Sequence, residues 1–231
     1  VREVRVRQGD QVEPGALLSD FDRETQAFGL STPTGINSTT GMSGLTLGGG
    51  FGWQSRKRGL TIDNLVAADV VLASGEFVQT SATQHPNLFW ALRGGGGNFG
   101  VVTSFEYQLH PLGPQVLAGL VVYPLGQAKQ VFEGYRQFTA AASDDMTVWM
   151  VLRKAPPLPF LPAEVHGRPV VVVAFCWIGE LSRGEQMTKT LHEFGKPHGV
   201  HAGPMPFAGW QTAFDPLLAP VLNHQPLAAE A

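Results

Sequence analysis

A chain of 231 residues, 43% hydrophobic and 15% charged, is long enough for one large domain or two small ones and too apolar for a disordered segment. A net charge of −3 leaves no electrostatic footprint for nucleic acid or an anionic membrane, and no apolar run approaches the ~18–20 residues of a membrane span. A lone cysteine, Cys176, excludes a disulfide framework and a cysteine-built zinc cluster. It lies inside the apolar run 170–178 and reads as a buried, inert thiol, because a reactive one needs an electropositive, partly exposed setting. The chain begins on Val1 with no charged-then-apolar leader, which points to a piece of a longer protein and to a cytoplasmic location. The tail 225–231 has neither strand nor helix pattern, so that end also reads as cut or altered.

Residues 4–7 alternate as a strand, and 8–14 are polar and turn-like. A short helix follows. Ser19 and Asp22 stand in capping-box spacing at its start, and Gly29 closes it. Residues 35–52 then hold seven glycines, with the hydroxyls of Ser38, Thr39, Thr40 and Ser43 among them. Glycine admits positive φ and close backbone approach, at a cost in entropy. Successive exposed N–H groups form concavities for anions such as phosphate. Either a bound ligand offsets that cost, or the stretch is a plain loop between strands. Behind it Arg56, Lys57 and Arg58 form a basic patch, which reads as a solvated turn or as charge complementing a phosphate. Runs 69–73 and 76–80 flank Ser74-Gly75 as a hairpin. Pro86 opens a helix over 87–93 with Leu88, Phe89, Trp90 and Leu92 apolar, and glycines 94–97 end it. Residues 101–109 read as a strand with Val101, Thr103, Phe105, Tyr107 and Leu109 on the buried face, stopped by His110-Pro111.

After Pro114 the glycine clusters cease. A strand over 116–123 leads to an amphipathic helix over 127–142, with Ala128, Val131, Phe132, Tyr135 and Phe138 on one face. A strand over 146–153, a proline-rich loop over 155–162 and the apolar strand 170–178 follow. Ser182 with Glu185 caps a last helix, with Met187, Leu191 and Phe194 inward and Gly195 and Pro197 as stops. This order suits helices on one face of an antiparallel sheet, an α+β fold with a domain boundary near residue 114.

Residues 95–100 match G-x-G-x-x-G, but with a helix before and a strand after, the reverse of the order that aims pyrophosphate at a helix N-terminus. Neither a P-loop nor a Gly-x-Ser-x-Gly elbow occurs. His198 and His201 lack a third ligand at useful spacing and read as surface loop residues, so no metal site is expected. Trp149, Trp177, Phe207 and Trp210 read mostly as core, with some left to line a pocket for a flat substrate.

Four motifs occur in series: residues 35–41, residues 44–52, residues 56–60 with Asp63-Asn64, and residues 88–102. Together they resemble the FAD-linked oxidoreductases of the berberine-bridge-enzyme type, within the PCMH-type, or vanillyl-alcohol-oxidase, flavoprotein group. The resemblance runs to about Asp215. It implies that 1–114 is the second α+β subdomain of an FAD-binding domain, and that 115–231 is an incomplete substrate domain with an antiparallel sheet backed by helices. It implies FAD as cofactor. Asn37, Ser38, Thr39, Thr40, Gly41, Gly44, Leu45, Gly48, Gly49, Gly50 and Gly52 would approach the flavin and its ribityl-pyrophosphate, and the Gly100, Val101 and Val102 backbone would border it. The implied reaction is oxidation of a small organic substrate (a sugar, an alkaloid or another secondary metabolite) with hydride passing to the flavin and dioxygen as acceptor. Three departures stand out. The upstream motif carrying the histidine tether of many members is missing. Asn37 occupies the place of a cysteine that forms a second flavin bond in some members, which rules out that tether. The family's later segment, where catalytic bases and tyrosines lie, is missing, so no catalytic residue is nominated. A rival expectation is a truncated chain that holds no flavin firmly and catalyses nothing. A weaker one is a nicotinamide dehydrogenase, which helix–glycine–strand order over 94–109 would exclude.

Overall fold

The computed structural model describes residues 4–6 and 11–217. The turn expected over 8–10 and the tail expectation for 225–231 lie outside the described residues. Strand β1 (Val4–Arg5) pairs with β2 (Gln11–Val12). Helix α1 (Leu18–Gln26) starts one step before Ser19. Its capping acid is Asp20, whose carboxylate accepts the Leu17 N–H at 3.0 Å; the expected partner, Asp22, is turned inward and buried. Gly29, at φ +65°, follows the helix, and β3 (Leu30–Ser31) comes next.

Inside the glycine-rich stretch lies a helix that glycine content conceals, α2 (Met42–Leu47), anchored by the Met42 N–H on the Ala16 carbonyl and by buried Met42 and Leu47. After α3 (Ser55–Arg58), β4 (Leu65–Val71) and β5 (Phe77–Ser81) form the expected hairpin, with Gly75 at φ +84° in its turn. Helix α4 (Pro86–Gly95) buries Phe89 and Leu92 but leaves Trp90 78% exposed. Strand β6 (Val101–Tyr107) completes an antiparallel sheet of order β1-β2-β6-β4-β5. Alternation holds at Phe105 and Tyr107, with Leu109 buried just beyond the strand, and fails at Val101 and Thr103. Asp69 pairs with Ser104 but Val70 with Val102, so Thr103 is bulged out. One extra residue reverses the alternation, which buries Val102 with Phe105 and Tyr107 and leaves Val101 68% exposed.

The short β7 (His110–Pro111) pairs with β3. The second sheet then forms from β8 (Gln115–Pro124), β9 (Met146–Lys154) and β10 (Pro169–Trp177), with α5 (Ala128–Ala141) and α6 (Leu181–Leu191) between strands. Its fourth strand, β11 (Gly199–Pro206), is one that its glycines and prolines disguise. It lies at an edge, where Pro204 and Pro206 are tolerated, and it leads into α7 (Phe207–Thr212). The antiparallel order is β11-β8-β10-β9. Central β10 is buried on both faces, which accounts for its unbroken apolar run. On one face Val121, Tyr123, Val171, Val173 and Phe175 meet Val131 and Phe138 of α5 and Leu191 of α6. Phe132 stands at the flank, largely exposed. Ser182 does not form a box with Glu185; its hydroxyl donates to Glu180 Oε1.

The opposite face packs against α7 and the segment that follows the glycine stretch. Val116, Ala118, Ala174 and Cys176 meet Trp53, Phe207 and Trp210. Burial pushes the Cys176 thiol far up, so it stays protonated and inert. Both readings of the basic patch miss what two of its residues do. Arg56 reaches Asp144 at 3.7 Å and the Ala142 carbonyl at 3.1 Å, and Lys57 pairs with Asp145, so they tie α3 to the turn before β9.

Candidate functional site

The two glycine corners hang on one turn, residues 60–64. Thr61 N–H donates to the Gly50 carbonyl and Ile62 N–H to the Gly49 carbonyl, each at 3.0 Å. From the other side Arg93 donates through Nε to the Ile62 carbonyl at 3.3 Å and pairs with Asp63 at 3.0 Å. Asp63 also accepts the Leu60 N–H at 2.8 Å. Asn64 holds the turn rigid: its Nδ2 donates to the Arg58 and Leu60 carbonyls, and its Oδ1 lies 2.7 Å from His110 Nε2. Burial, with the Arg58 charge, keeps His110 below the ordinary histidine value and so neutral at pH 7. The Asp63-Asn64 motif therefore serves as wiring between corners that lie about 40 residues apart in sequence.

The glycines fall into two groups. A Cβ on Gly52 would sit 1.7 Å from the Thr34 carbonyl oxygen, on Gly50 2.3 Å from Thr61 Oγ1, and on Gly100 2.7 Å from the Val71 carbonyl oxygen. These three make room for the protein's own atoms. Gly41, Gly44, Gly94, Gly96 and Gly97 meet nothing within 4 Å, and Gly49 only Leu60 at 3.8 Å. At the first five the backbone is bare toward open space, as close approach of a flat or phosphorylated ligand requires, while Gly49 is buried. Beside this group, the Thr61 hydroxyl is buried with no hydrogen-bond partner. Open glycines on both corners and an orphaned buried hydroxyl between them fit a large polar cofactor such as FAD.

The loop 37–41 is held from within and from behind. Asn37 Oδ1 accepts from the Thr39 N–H at 3.1 Å and its hydroxyl at 2.7 Å, an Asx turn. Asp215 accepts both the Ser38 N–H, at 2.9 Å, and the Ser38 hydroxyl, at 2.5 Å. Gln211 on α7 donates to buried Asp22 at 3.0 Å, to Thr34 Oγ1 at 2.8 Å and to the Gly35 carbonyl at 3.0 Å. Asp22 Oδ1 has no partner, and burial pushes this carboxyl up to about 7 against the Gln211 hydrogen bond, which lowers it.

Of the residues nominated from sequence, Asn37, Thr39, Thr40, Gly41, Gly44 and Gly48 are accessible, whereas Gly49 is buried with its N–H donated to the Thr46 carbonyl. Ser38 is committed to Asp215, Leu45 packs against the first core, and the Val102 side chain lies inside that core. Val101 points outward. The glycines of 94–100 follow a helix and precede a strand, so the dinucleotide fingerprint geometry is absent. His201 stacks on Phe160 at 5.5 Å, and among the described residues no three His, Cys, Asp or Glu side chains group as metal ligands.

Next to Ile36 of the glycine stretch, an apolar pocket opens on the face of the second sheet opposite α5 and α6. Leu120, Val122, Trp149, Val151, Val172 and Ala174 form its floor, Phe214 and the proline-rich loop (Pro156, Leu158, Leu161) its rim, with Arg153 at one end. Trp149 stacks on Trp53 with centroids 4.2 Å apart, and Phe51 meets Trp149 edge-on at 5.8 Å. Sequence reasoning flagged Trp149 as an aromatic that could line a pocket. Ile36, Arg153 and Phe214 carried no signal, since each becomes a wall only through pairing with distant segments. A larger groove, about 580 Å³, lies between α5 and α6 on the other side of the sheet, away from the glycines.

Residues 7–81 match the family described as "FAD binding domain". An uncharacterised FAD-linked oxidoreductase of Bacillus subtilis (strain 168) is 30% identical over 209 residues, covering 88% of this chain and 44% of that protein. The crystal structure of 6-hydroxy-D-nicotine oxidase from Arthrobacter nicotinovorans superposes with a TM-score of 0.76 at 26% identity, over 95% of this chain and 48% of that one. A chitooligosaccharide oxidase superposes with a TM-score of 0.76 at 26% identity, over 93% of this chain and 44% of that one. The chain thus spans about half the length of these relatives. It is a homologue of the FAD-linked oxidoreductases, with an FAD-binding segment at residues 7–81 and, over the part it spans, the α+β fold of the berberine-bridge, PCMH-type oxidase group.

Proposed function

We propose that this chain divides near residue 114 into a flavin-holding part and a substrate-holding part, and that its protein is an FAD-dependent oxidase of a small organic molecule. One observation carries the reading: the open glycines of both corners converge on the 60–64 turn, and the apolar pocket adjoins them through Ile36. FAD, when bound, supplies a two-electron acceptor. Gly41 and Gly44 on the first corner, and Gly94, Gly96 and Gly97 on the second, would let it approach bare backbone, with the Thr40 hydroxyl beside the first corner. Ser38 and Asn37 fix the first corner from behind. Asn37 offers no thiol, so no bond to the flavin forms at that position. Trp149, Val151 and Val172 exclude water from the substrate side, which keeps a reacting C–H bond in a dry setting. Among the described residues no carboxylate, histidine or tyrosine lines the pocket, and no general base is assigned. Dioxygen as acceptor follows by analogy with relatives named as oxidases.

The test is optical. Purified chain supplied with FAD and desalted should retain absorbance near about 450 nm, and acid precipitation should release the flavin into the supernatant. Colourless protein after that treatment would sink the reading and leave a chain that does not hold flavin by itself.

A further inference from the structure

We infer that the molecule this pocket receives is a flat, apolar acid whose anionic group is bound by Arg153. The inference rests on the pocket being the substrate site of the proposed oxidase. The walls decide it. Trp149, Val151 and Arg153 occupy alternate positions of β9 and so share one face of the sheet. Their β10 partners on that face are Ala174, Val172 and Val170. At the rise of a strand, Trp149 and Arg153 stand roughly 13 Å apart, the span of two fused or linked rings with a short acidic arm. Apart from the Trp149 indole N–H, a donor only, every other lining side chain is apolar: none of Ile36, Leu120, Pro156, Leu158, Leu161 or Phe214 can give or take a hydrogen bond.

Arg153 is the exception, and it is underused. Its one hydrogen bond runs from Nε to the neighbouring Lys154 carbonyl at 3.3 Å, and among the described residues no carboxylate lies within ion-pair distance. A partly buried guanidinium with donors to spare beside an apolar wall matches a carboxylate or another planar anion. The same arrangement works against the two substrate types that the relatives' names suggest. A sugar would lose water from its hydroxyls with no acceptor in the wall to replace it. A protonated amine would meet a like charge and no carboxylate.

The test uses four probes on the flavin-free chain: 2-naphthoate, 2-naphthylmethanol, 2-naphthylmethylammonium and chitobiose, with binding read from tryptophan fluorescence and calorimetry. Naphthoate should bind about tenfold more tightly than the alcohol, the expected margin for a charge-assisted pair. The ammonium should bind more weakly than the alcohol, and chitobiose should not saturate. Arg153→Gln should remove the preference for naphthoate while leaving the alcohol's affinity unchanged, and Arg153→Lys should keep part of it. Circular dichroism checks that both variants fold, and the wild-type preference stands as evidence without them. Equal binding of naphthoate and alcohol, a preference that survives Arg153→Gln, or tighter binding of chitobiose would overturn the inference. FAD uptake, read in parallel, separates the two ideas. Uptake without anion preference refutes only the assignment to Arg153, and anion preference without uptake refutes only the flavin reading.

Discussion

A methyl group on Gly52 would fall 1.7 Å from the Thr34 carbonyl oxygen, whereas one on Gly44 would meet nothing within 4 Å. Gly52→Ala should therefore cost roughly 1–3 kcal/mol in urea unfolding, because backbone must move to admit it. Gly44→Ala, inside α2, should be neutral or stabilise by up to about 1 kcal/mol, because alanine is the better helix former. A fall in FAD uptake by the stable Gly44→Ala protein would then mark lost approach and not lost fold. Asp22 carries a pH signature. Between its ordinary value of 3.8 and about 7, the folded chain keeps a proton that the unfolded chain has released. Stability should be greatest below that window, fall as pH rises through it, and level off above it. Asp22→Asn keeps an acceptor for Gln211 and has no proton to lose. It should flatten the profile and gain on the order of 1–3 kcal/mol relative to wild type at pH 8, measured as urea unfolding at pH 5 and pH 8.

Short elements carry more of the site than their length suggests. Helix α2 has six residues and a glycine inside it, and it persists because Met42 is bonded to Ala16 and buried. Propensity is a weak guide to such a segment, because tertiary anchoring supplies what the local sequence lacks. The segment from α7 to Asp215 has a comparable role. Through Gln211 and Asp215 it grips residues 34–38, some 177 positions earlier in the chain. Asp215→Ala removes two hydrogen bonds to a carboxylate. It should lower stability by about 1–3 kcal/mol and speed amide exchange at residues 38–41, with less change in α5. Strand β6 shows the limit of pattern reading: Phe105 and Tyr107 are buried as alternation predicts, but the bulge at Thr103 inverts burial before it, exposing Val101 and burying Val102.

At the scale of the molecule, the segment after the glycine stretch meets the second sheet and α7 through an aromatic joint. Trp53 stacks on Trp149 and lies 5.2 Å from Trp210, between centroids, and 5.7 Å from Phe214. Nearby, Arg56 and Lys57 reach Asp144 and Asp145. The joint should dominate. Trp53→Ala should cost about 3–5 kcal/mol and separate one unfolding transition into two, seen by calorimetry. Lys57→Ala should cost under about 1 kcal/mol, because the pair is exposed to solvent and its attraction is screened. Among the described residues no helix is long and apolar enough to cross a membrane.

Local pattern was sufficient for the α+β class, for the helix–glycine–strand order after Pro86, for the buried thiol in β10 and for the two glycine corners with their resemblance to flavin-linked oxidoreductases. Each of these depends on residues close together in the chain, where spacing alone reports which way a side chain faces. What Thr103, Asp22 and Arg153 do was decided only on folding. A bulge depends on the neighbouring strand, a raised carboxyl on what surrounds it, and a guanidinium without a carboxylate among the described residues on which elements lie beside it. The pocket is the clearest case: its walls come from the glycine stretch, three strands, a proline-rich loop and the residue after α7, and no window of sequence holds them together.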